Sequence, residues 1–420
     1  MTMTTNNEHK KLNAPTLRFP EFEGEWEEKR LAEIADLYKG NGISKEQLAN
    51  IGEPCILYGE LYTKYKSEVI SHVFSKTNID TKKLVRSKVN DVIIPCSGET
   101  AEDIATARCV PYDNILLGGD LNIIRLHDCE GSFMSYQLNG KRKYDIAKVA
   151  QGVSVVHLYG EHLKGIKTYI PCLEEQKKIA KLLSLLDERI ATQSKVIEDL
   201  KKLKRAIIED VYCSLKQHEP KRRFMEYSSS FSSYKMKDFC KRITDKNKDN
   251  QCSLVLTIAA QDGLVDQETF FNKSVASENL AGYYILHNGD FAYNRSYSSG
   301  YAWGTVKRLD KYKVGVLSTL YICFRVNESI VDSDYLSYYF ESTKWHKGVS
   351  DISGEGARNH GLLNISVTDY FNTEHRFPSI EEQKHIASML NALTIKEQKA
   401  IELEKLYSKQ KLYLLRQMFI

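Results

Sequence analysis

The chain has 420 residues, of which 42% are hydrophobic and 27% charged, and its formal net charge is +4. This composition suits a soluble globular protein, and the length suits two or three domains of about 100–200 residues each. The small charge excess neither identifies nor excludes a polyanionic partner, since basic side chains can gather on one face.

The polar residues 1–11 lack the apolar core of a secretory signal. No run of the sequence reaches the roughly eighteen apolar residues that a membrane span needs. The nine cysteines are odd in number and include no C-x-x-C pair, which argues against a zinc or disulfide framework. We therefore expect a cytoplasmic protein with reduced thiols and no membrane partner.

The first predicted domain covers residues 15–170 and follows a flexible segment of residues 1–14. Its short apolar runs Asp91–Pro95 and Leu121–Leu126 are typical of strands, and glycine-containing turn signals bound them. Residues 171–216 form the first predicted long helix, because no Gly or Pro interrupts Leu173–Leu215. Stepping alternately by four and three residues from Ile179 to Val211 meets an apolar residue at eight of ten positions, which is a coiled-coil seam.

The second predicted domain covers residues 217–377, with strand-like runs at Leu254–Ala259 and Leu320–Val326. Residues 378–420 form the second predicted long helix. Its seam is weaker, since three of ten stepped positions carry charge. The order of elements predicts an α+β protein in which each of two globular domains is followed by a long helix.

An internal repeat organises this arrangement. The segment Ile170–Asp187 matches Phe377–Thr394, 207 residues later, at nine of eighteen positions. Two related halves in one chain suggest pseudo-two-fold symmetry, under which the helices pair as an antiparallel coiled-coil spacer. Helices of this length would span about 60 Å and hold the domains over two short DNA sequences, separated by an upper limit of roughly 18 base pairs. Because the domains differ in sequence, the two half-sites should differ.

The repeated motif P-x-x-E-E-Q-x-x-I-A-x-x-L, at Pro171–Leu183 and Pro378–Leu390, resembles the specificity subunit of type I restriction-modification enzymes. The opening Leu17–Pro20 with Gly24–Trp26, and Gln151-Gly152, are also similar to that family. The resemblance spans essentially the whole chain. Its motifs are specific in the helices and weak in the domains.

This resemblance implies that the domains are target recognition domains for double-stranded DNA. It implies that the helices form a spacer that docks two modification (methyltransferase) subunits, and that restriction subunits, which translocate and cleave DNA, are recruited. S-adenosylmethionine, ATP and Mg²⁺ would serve those partners and would not bind this chain. The host would be bacterial.

No catalytic or metal site is predicted. The chain has no G-x-x-x-x-G-K-[ST] phosphate loop and no N-P-P-[YF] methyltransferase motif. The E-x-K triplets beginning at Glu175 and Glu382 resemble nuclease metal ligands, but acidic residues also favour a helix start, which is the interpretation we adopt. His157 and His162 lack H-E-x-x-H spacing. The chain is therefore predicted to be a non-catalytic subunit of an adenine-N6 methyltransferase and endonuclease complex.

Candidate DNA contacts are polar or basic side chains in turns, of the types that reach bases or phosphates. The alternative for each is a solvated turn or surface. In the second domain they are Asn294, Arg295, Ser296, Tyr297 and Ser298, which follow the strand Asp290–Tyr293, and Arg358, Asn359 and His360. In the first domain they are Ser97 and Thr100, Gln151, Ser154 and His157, the segment Lys64, Tyr65 and Lys66, and the basic run Lys141, Arg142 and Lys143.

Candidate spacer and partner-binding residues lie at equivalent positions of the two helices. They are Glu174, Glu175, Gln176, Ile179, Leu183 and Leu186 in the first helix, and Glu381, Glu382, Gln383, Ile386, Leu390 and Leu393 in the second. Two other functions stay open. One is an interaction scaffold of coiled-coil type without sequence-specific DNA binding, and the other is an unrecognised nuclease or methyltransferase.

Overall fold

The computed structural model describes residues 13–152, 155–273, 279–297, 300–353 and 361–420. The chain divides into two compact units. The first comprises Met1–Lys195 with Ile401–Ile420, and the second comprises Val196–Ala400. Each long helix therefore contributes to both units, whereas the sequence assigned the helices to segments of their own.

In the first unit the strands are short and the helices between them shorter than three turns. The strands are β1 (Glu27–Arg30), β2 (Ala35–Lys39), β3 (Leu48–Ala49), β4 (Glu53–Ile56), β5 (Ser75–Thr77), β6 (Asp91–Pro95), β7 (Ser97–Gly98), β8 (Arg108–Val110), β9 (Leu116–Leu117), β10 (Leu121–Leu126), β11 (Val156–His157) and β12 (Lys167–Ile170). The helices are α1 (Leu31–Ile34), α2 (Glu60–Thr63), α3 (Ala101–Ile104), α4 (Gly131–Asn139), α5 (Lys143–Val149) and α6 (Gly160–Lys164), before the long α7 (Leu173–Val211).

The central sheet of the first unit has the antiparallel order β2-β10-β6-β8. Both of its faces are buried: Val92 and Ile94 pack into one apolar cluster, and Ile93 packs into another on the opposite face. A strand covered on both faces carries a continuous apolar run, which is why β6 and β10 fall at the bounds that the sequence predicted. A second sheet, β3-β5-β4-β9, lies in the same unit.

The second unit repeats this plan with different details. Its strands are β13 (Ser232–Lys235), β14 (Cys240–Arg242), β15 (Leu256–Ala259), β16 (Gly263–Asp266), β17 (Tyr284–His287), β18 (Phe291–Asn294), β19 (Thr305–Arg308), β20 (Val314–Leu317), β21 (Ile322–Val326) and β22 (Glu374–Phe377). Its helices are α8 (Met236–Phe239), α9 (Gln267–Phe271), α10 (Ser333–Tyr339), α11 (His346–Ile352), α12 (Val367–Phe371) and the long α13 (Ile380–Gln417). The sheet β14-β21-β18-β19 corresponds to the central sheet of the first unit.

A two-stranded ribbon precedes each long helix. In the first unit β1 pairs with β12, and in the second β13 pairs with β22. The strand that opens each domain is thereby fixed beside the strand that leads into its helix. The helix start is therefore tied to the first residues of the domain as well as to the last.

The repeated E-E-Q motif anchors each helix to its own domain. The Arg18 guanidinium donates two hydrogen bonds to the fully buried Glu175 carboxylate, Nε to Oε1 at 2.8 Å and an Nη to Oε2 at 2.7 Å. Arg223 binds the fully buried Glu382 in the same way, at 2.9 and 2.8 Å. The helix-start interpretation of both E-x-K triplets is confirmed, because these carboxylates are occupied by arginine within the first turn of a helix.

The glutamine of the motif clamps the same corner. Gln176 donates from Nε2 to the Pro171 carbonyl and accepts at Oε1 from the Glu130 amide, both at 2.9 Å. Gln383 repeats this with the Pro378 carbonyl at 3.0 Å and the Asp332 amide at 2.9 Å. The repeated motif therefore specifies the same junction between a domain and its long helix in both units.

The two long helices pair antiparallel within the first unit. Lys411 of α13 forms ion pairs with Asp187 of α7, at 2.5 Å, and with Glu68. Further along, the Arg189 guanidinium lies over the Tyr407 ring, so rising numbers in α7 meet falling numbers in α13. In the second unit the same helices are joined by Lys204 and Glu397, whose charged atoms are 2.9 Å apart.

The second long helix is as long as predicted, despite its weaker seam. Helix α13 is continuous to Gln417, and Leu415, Met418 and Phe419 are buried against Trp26 and Phe133. The first helix ends at Val211 rather than Leu215. There Tyr212 leaves the helical path and is buried, donating a hydrogen bond to the Tyr335 carbonyl at 2.7 Å.

Breaking the first anchor should destabilise the chain. The Arg18 side chain is only 16% exposed. In Glu175→Ala its guanidinium loses the carboxylate that accepts two of its hydrogen bonds. Removing one partner of a buried ion pair costs about 3 kcal/mol. Denaturant unfolding should show that loss, whereas the adjacent exposed Glu174→Ala should change stability little. Equal stability of the two variants would contradict the anchoring role.

A buried histidine should make the second unit sensitive to acid. Complete burial lowers the pKa of His375 from 6.5 to about 3. Its Nδ1 lies 2.9 Å from the Tyr339 hydroxyl, and its Nε2 lies 2.9 Å from the Thr373 hydroxyl. Because the Thr373 hydroxyl already donates to the Tyr370 carbonyl, Nε2 is the ring nitrogen that carries the proton.

The stability that neutral His375 contributes should be complete above pH 6.5 and be lost as the pH falls toward 3. The reason is that only the unfolded chain takes up the proton in that window, at about 1.4 kcal/mol per pH unit. The stability difference between the wild-type chain and His375→Gln, measured by denaturant unfolding, should therefore shrink between pH 7 and pH 4. A difference that stays constant over this range would refute the assignment.

Candidate nucleic-acid interface

In each unit, several of the segments that the sequence singled out lie at one end of the central sheet. In the first unit β2 and β6 end there and β10 begins there, with Leu121 opposite Pro95 and Asn122 opposite Lys39. In the second unit β18 ends there and β21 begins there, with Tyr293 opposite Ile322. We call this the reading end of each unit.

The reading end of the first unit brings together two separate candidate segments. Strand β7 pairs with β11, which places Ser97 opposite His157. The His157 amide donates to the Gln151 carbonyl at 2.7 Å, and the Gln151 amide donates back at 2.9 Å. The segment after β6 and the Gln151 segment, predicted separately as DNA contacts, therefore lie in physical contact.

Three residues that the sequence did not single out complete this surface. Asp120 accepts a hydrogen bond from the Ser97 hydroxyl at 3.3 Å, and the Lys39 ammonium lies 3.9 Å from its carboxylate. Tyr159, 53% exposed, lies with its ring nearly parallel to that of His157. Lys39 ends a strand more than fifty residues before Ser97, so only the strand pairing brings them together.

The reading end of the second unit is built in the same way. The Leu363 amide donates to the Arg295 carbonyl at 3.0 Å, and Ser296 forms a bridge with Leu362. The Tyr297 amide donates to the Gly361 carbonyl at 3.1 Å. The segment after β18 therefore meets the segment after residue 360. The candidates Ser154, Ser298, Arg358, Asn359 and His360 lie outside the described residues.

Several candidate side chains are already engaged within the protein. Arg295 donates to the Ile365 carbonyl at 3.0 Å and to the Leu320 carbonyl at 3.1 Å. The Thr100 hydroxyl caps α3, accepting from the Asp103 amide at 3.1 Å. These two side chains hold the loops in shape, whereas Ser296, Gln151 and His157 are exposed.

The segment around Tyr65 is the clearest correction. The alternating aromatic and basic pattern suggested a surface strand or a DNA contact, but the chain forms helix α2 up to Thr63, and Tyr65 is only 5% exposed in the core. A buried ring does not reach DNA. Lys64 forms an ion pair with Glu60 at 2.6 Å, and Lys66 is exposed.

The basic run of residues 141–143 does not lie at the reading end. Arg142 donates to the Ile420 carbonyl at 2.8 Å and lies over the Tyr169 ring. Its guanidinium is therefore committed to packing within the first unit. Lys141 is exposed, and Lys143 is half-buried as the first residue of α5.

A buried aspartate supports each reading end. Arg125 of β10 binds both oxygens of Asp91 on β6, at 2.9 and 2.8 Å. In the second unit Arg325 binds both oxygens of Asp290, at 2.6 and 2.8 Å. Both carboxylates are 1% exposed. Asp91 and Asp290 thus hold equivalent positions, where a cross-strand pair fixes β6 on β10 and β18 on β21.

Most predicted spacer residues face inward within their own unit. Those at most 8% exposed are Glu175, Gln176, Ile179, Leu183, Leu186, Glu382, Gln383, Ile386 and Leu390. Leu393 is partly buried, and Glu174 and Glu381 are exposed. The large apolar residues that the long helices leave exposed are Leu182, Leu185, Val196 and Leu203 of α7, and Ile395, Leu403, Leu406, Leu412 and Tyr413 of α13.

Among the described residues, no group of three or more His, Cys, Asp or Glu side chains is placed to hold a metal ion. No helix in the described ranges is long and apolar enough to cross a membrane.

Comparison with known proteins finds a family model and relatives that this chain resembles. Residues 23–202 match the family model of the type I restriction modification DNA specificity domain. The type I restriction enzyme MjaVIII specificity subunit of Methanocaldococcus jannaschii is 24% identical over 418 residues, which cover 93% of this chain and 91% of the relative.

Two solved structures share the fold. The S subunit of a type I restriction-modification system from M. genitalium has a TM-score of 0.58 at 14% identity, covering 97% of this chain and 99% of that one. A chain from the structural study of complex assembly and conformational transition of the type I R-M system has a TM-score of 0.54 at 13% identity, covering 93% and 96%.

The fold consists of two domains with equivalent reading ends, joined to paired long helices. The repeated helix-start motif, the family model and the near full-length relative all point to the same family. The chain is similar to the specificity subunits of type I restriction-modification enzymes over nearly its whole length, and residues 23–202 match their DNA specificity domain.

Proposed function

We propose that this chain selects the DNA sequence on which a type I restriction-modification complex acts. Each unit would read one half of a bipartite, asymmetric sequence in double-stranded DNA. The observation that carries this proposal is the duplicated reading end, built on equivalent strands in both units but bearing different side chains. A shared scaffold with different surfaces is what recognition of two unlike half-sites requires.

The contacts at the reading ends suit groove readout better than chemistry. Exposed hydroxyl, imidazole and amide groups can bond base edges, and lysines such as Lys39 can bond phosphates. The chain itself would be non-catalytic. Methyl transfer with S-adenosylmethionine, and cleavage and translocation with ATP and Mg²⁺, would belong to partner subunits in the bacterial cytoplasm.

The exposed apolar residues that the long helices contribute to each unit would supply a docking surface for one modification subunit. Along α7, Val196 and Leu203 are one heptad apart, and in α13 Leu403 and Leu406 share a face at i, i+3 spacing. Exposed leucines at helical spacing favour a partner helix laid along them. The predicted partner contact therefore moves from the buried seam to this outer face.

The function is tested by mapping N6-methyladenine in cells that express this chain with its modification subunit. We expect methylation of one asymmetric, interrupted motif that disappears when the chain is deleted. Replacing residues 217–377 with the corresponding segment of a chain of different specificity should change only one half of the motif. This outcome follows because each reading end is built entirely within its own unit.

A complete complex that assembles but methylates no defined motif would favour the scaffold alternative. Binding to duplex DNA across salt concentrations, measured for that complex and for the modification subunits alone, separates the two functions. A specificity subunit adds phosphate contacts, so the complex should bind more tightly and with a steeper salt dependence than the modification subunits alone, whereas a protein scaffold should leave both unchanged.

Docking is tested with two exposed leucines of the first unit. In the double variant Leu403→Ser and Leu406→Ser, binding of the modification subunit should weaken at least about tenfold, since each leucine would contribute roughly 1 kcal/mol or more of apolar burial. The matched control replaces the exposed Lys405 and Lys409 of the same helix with serine. Equal weakening in both variants would contradict apolar docking at this face.

A further inference from the structure

Two exposed leucines lie at the reading end of the second unit. Leu320 is 65% exposed, two residues before β21, and Leu362 is 45% exposed, opposite Ser296. Single exposed leucines are common on protein surfaces and need no explanation. This pair differs because one residue, Arg295, hydrogen-bonds both to Leu320 and to the neighbour of Leu362.

Both leucines are held in place by that arginine segment. The Arg295 guanidinium donates to the Leu320 carbonyl at 3.1 Å. The Arg295 carbonyl accepts from Leu363, next to Leu362, at 3.0 Å. Two apolar side chains are thus presented to solvent from a fixed backbone, which lowers the entropy lost when they meet a ligand.

The equivalent positions of the first unit carry polar side chains. Asp120 lies five residues before Arg125, as Leu320 lies five residues before the equivalent Arg325, and the Cys96 amide donates to the Asp120 carbonyl at 2.7 Å. His157 lies opposite Ser97 as Leu362 lies opposite Ser296. Because both units share the same backbone arrangement here, the change from Asp and His to two leucines alters only the side chains that the reading end exposes.

We propose that Leu320 and Leu362 contact the 5-methyl groups of thymines in the DNA half-site read by the second unit. This inference rests on the proposed function and gives that site a base preference. In the major groove the thymine methyl is the apolar feature that sets thymine apart from cytosine, and apolar side chains recognise it. The first unit, with Asp120 and His157 in these places, offers hydrogen-bonding groups instead.

The experiment uses the assembled complex of this chain with its modification subunits, on a duplex carrying the motif found by methylation mapping. Each thymine of the half-site assigned to residues 217–377 is replaced singly by uracil, which lacks only the methyl group. At one or two positions we expect the dissociation constant to rise about fourfold, the factor for one buried methylene.

The variants Leu320→Ala and Leu362→Ala link the effect to these side chains. Each should bind the thymine duplex more weakly and lose most of its sensitivity to uracil at one position, while retaining the wild-type melting temperature, because both side chains are exposed. Phe270→Ala, at a 48% exposed position of the same unit, is the matched control and should keep the wild-type response.

Three results would overturn the proposal. The proposal is wrong if the half-site contains no thymine. It is also wrong if the complex binds the motif specifically but no thymine-to-uracil replacement in this half-site weakens binding. Uracil sensitivity that persists unchanged in both leucine variants assigns the methyl contact to other residues. In each of these cases the proposed function still stands. A complex that binds its motif no better than a scrambled duplex overturns the proposed function as well.

Discussion

The buried arginine–glutamate pair at the start of each long helix is the interaction on which the rest of the structure depends. Arg18 with Glu175, and Arg223 with Glu382, tie the residues that open each domain to the helix that follows it. A buried ion pair contributes little net stability compared with well-packed apolar residues, but it demands a defined geometry. The pair instead sets a direction. Its two hydrogen bonds and those of the neighbouring glutamine fix the angle at which each long helix leaves its sheet.

Once those angles are fixed, each unit can include a stretch of both helices. In the first unit the helices meet through Lys411 and Asp187, whose pKa is raised by burial and by the nearby Glu68 carboxylate. In the second unit Lys204 occupies the place of Lys411, but Thr394 stands where Asp187 would be, and Lys204 pairs with Glu397 instead. The same lysine position is thus neutralised by different carboxylates, so the halves have diverged while keeping one packing plan.

The sequence predicts the parts of this fold whose signals are local. The continuous apolar runs of β6 and β10 mark strands buried on both faces, and the repeated motif marks both helix starts. It does not predict which polar segments converge. Tyr65 stands between two lysines, as a surface residue often does, yet its ring is buried. Lys39 lies near Asp120 only because strand β2 pairs with strand β10. The exposed leucines of the long helices did not enter the predicted partner contacts for a related reason: an apolar stripe in the sequence does not reveal which face of a helix is already covered.

The same long-range contacts engage many of the basic side chains of the chain. Many arginines serve internal carboxylates or carbonyls: Arg125 and Arg325 hold the aspartates beneath the reading ends, while Arg142 and Arg295 bind main-chain oxygens. Counting basic residues therefore says little about DNA affinity in this chain. What distinguishes the two reading ends is the set of side chains left exposed on a common frame. A rigid frame with exchangeable surface residues allows one half-site to change without disturbing the helices, because the frame's own hydrogen bonds use the main chain, the buried aspartates and the anchoring arginines.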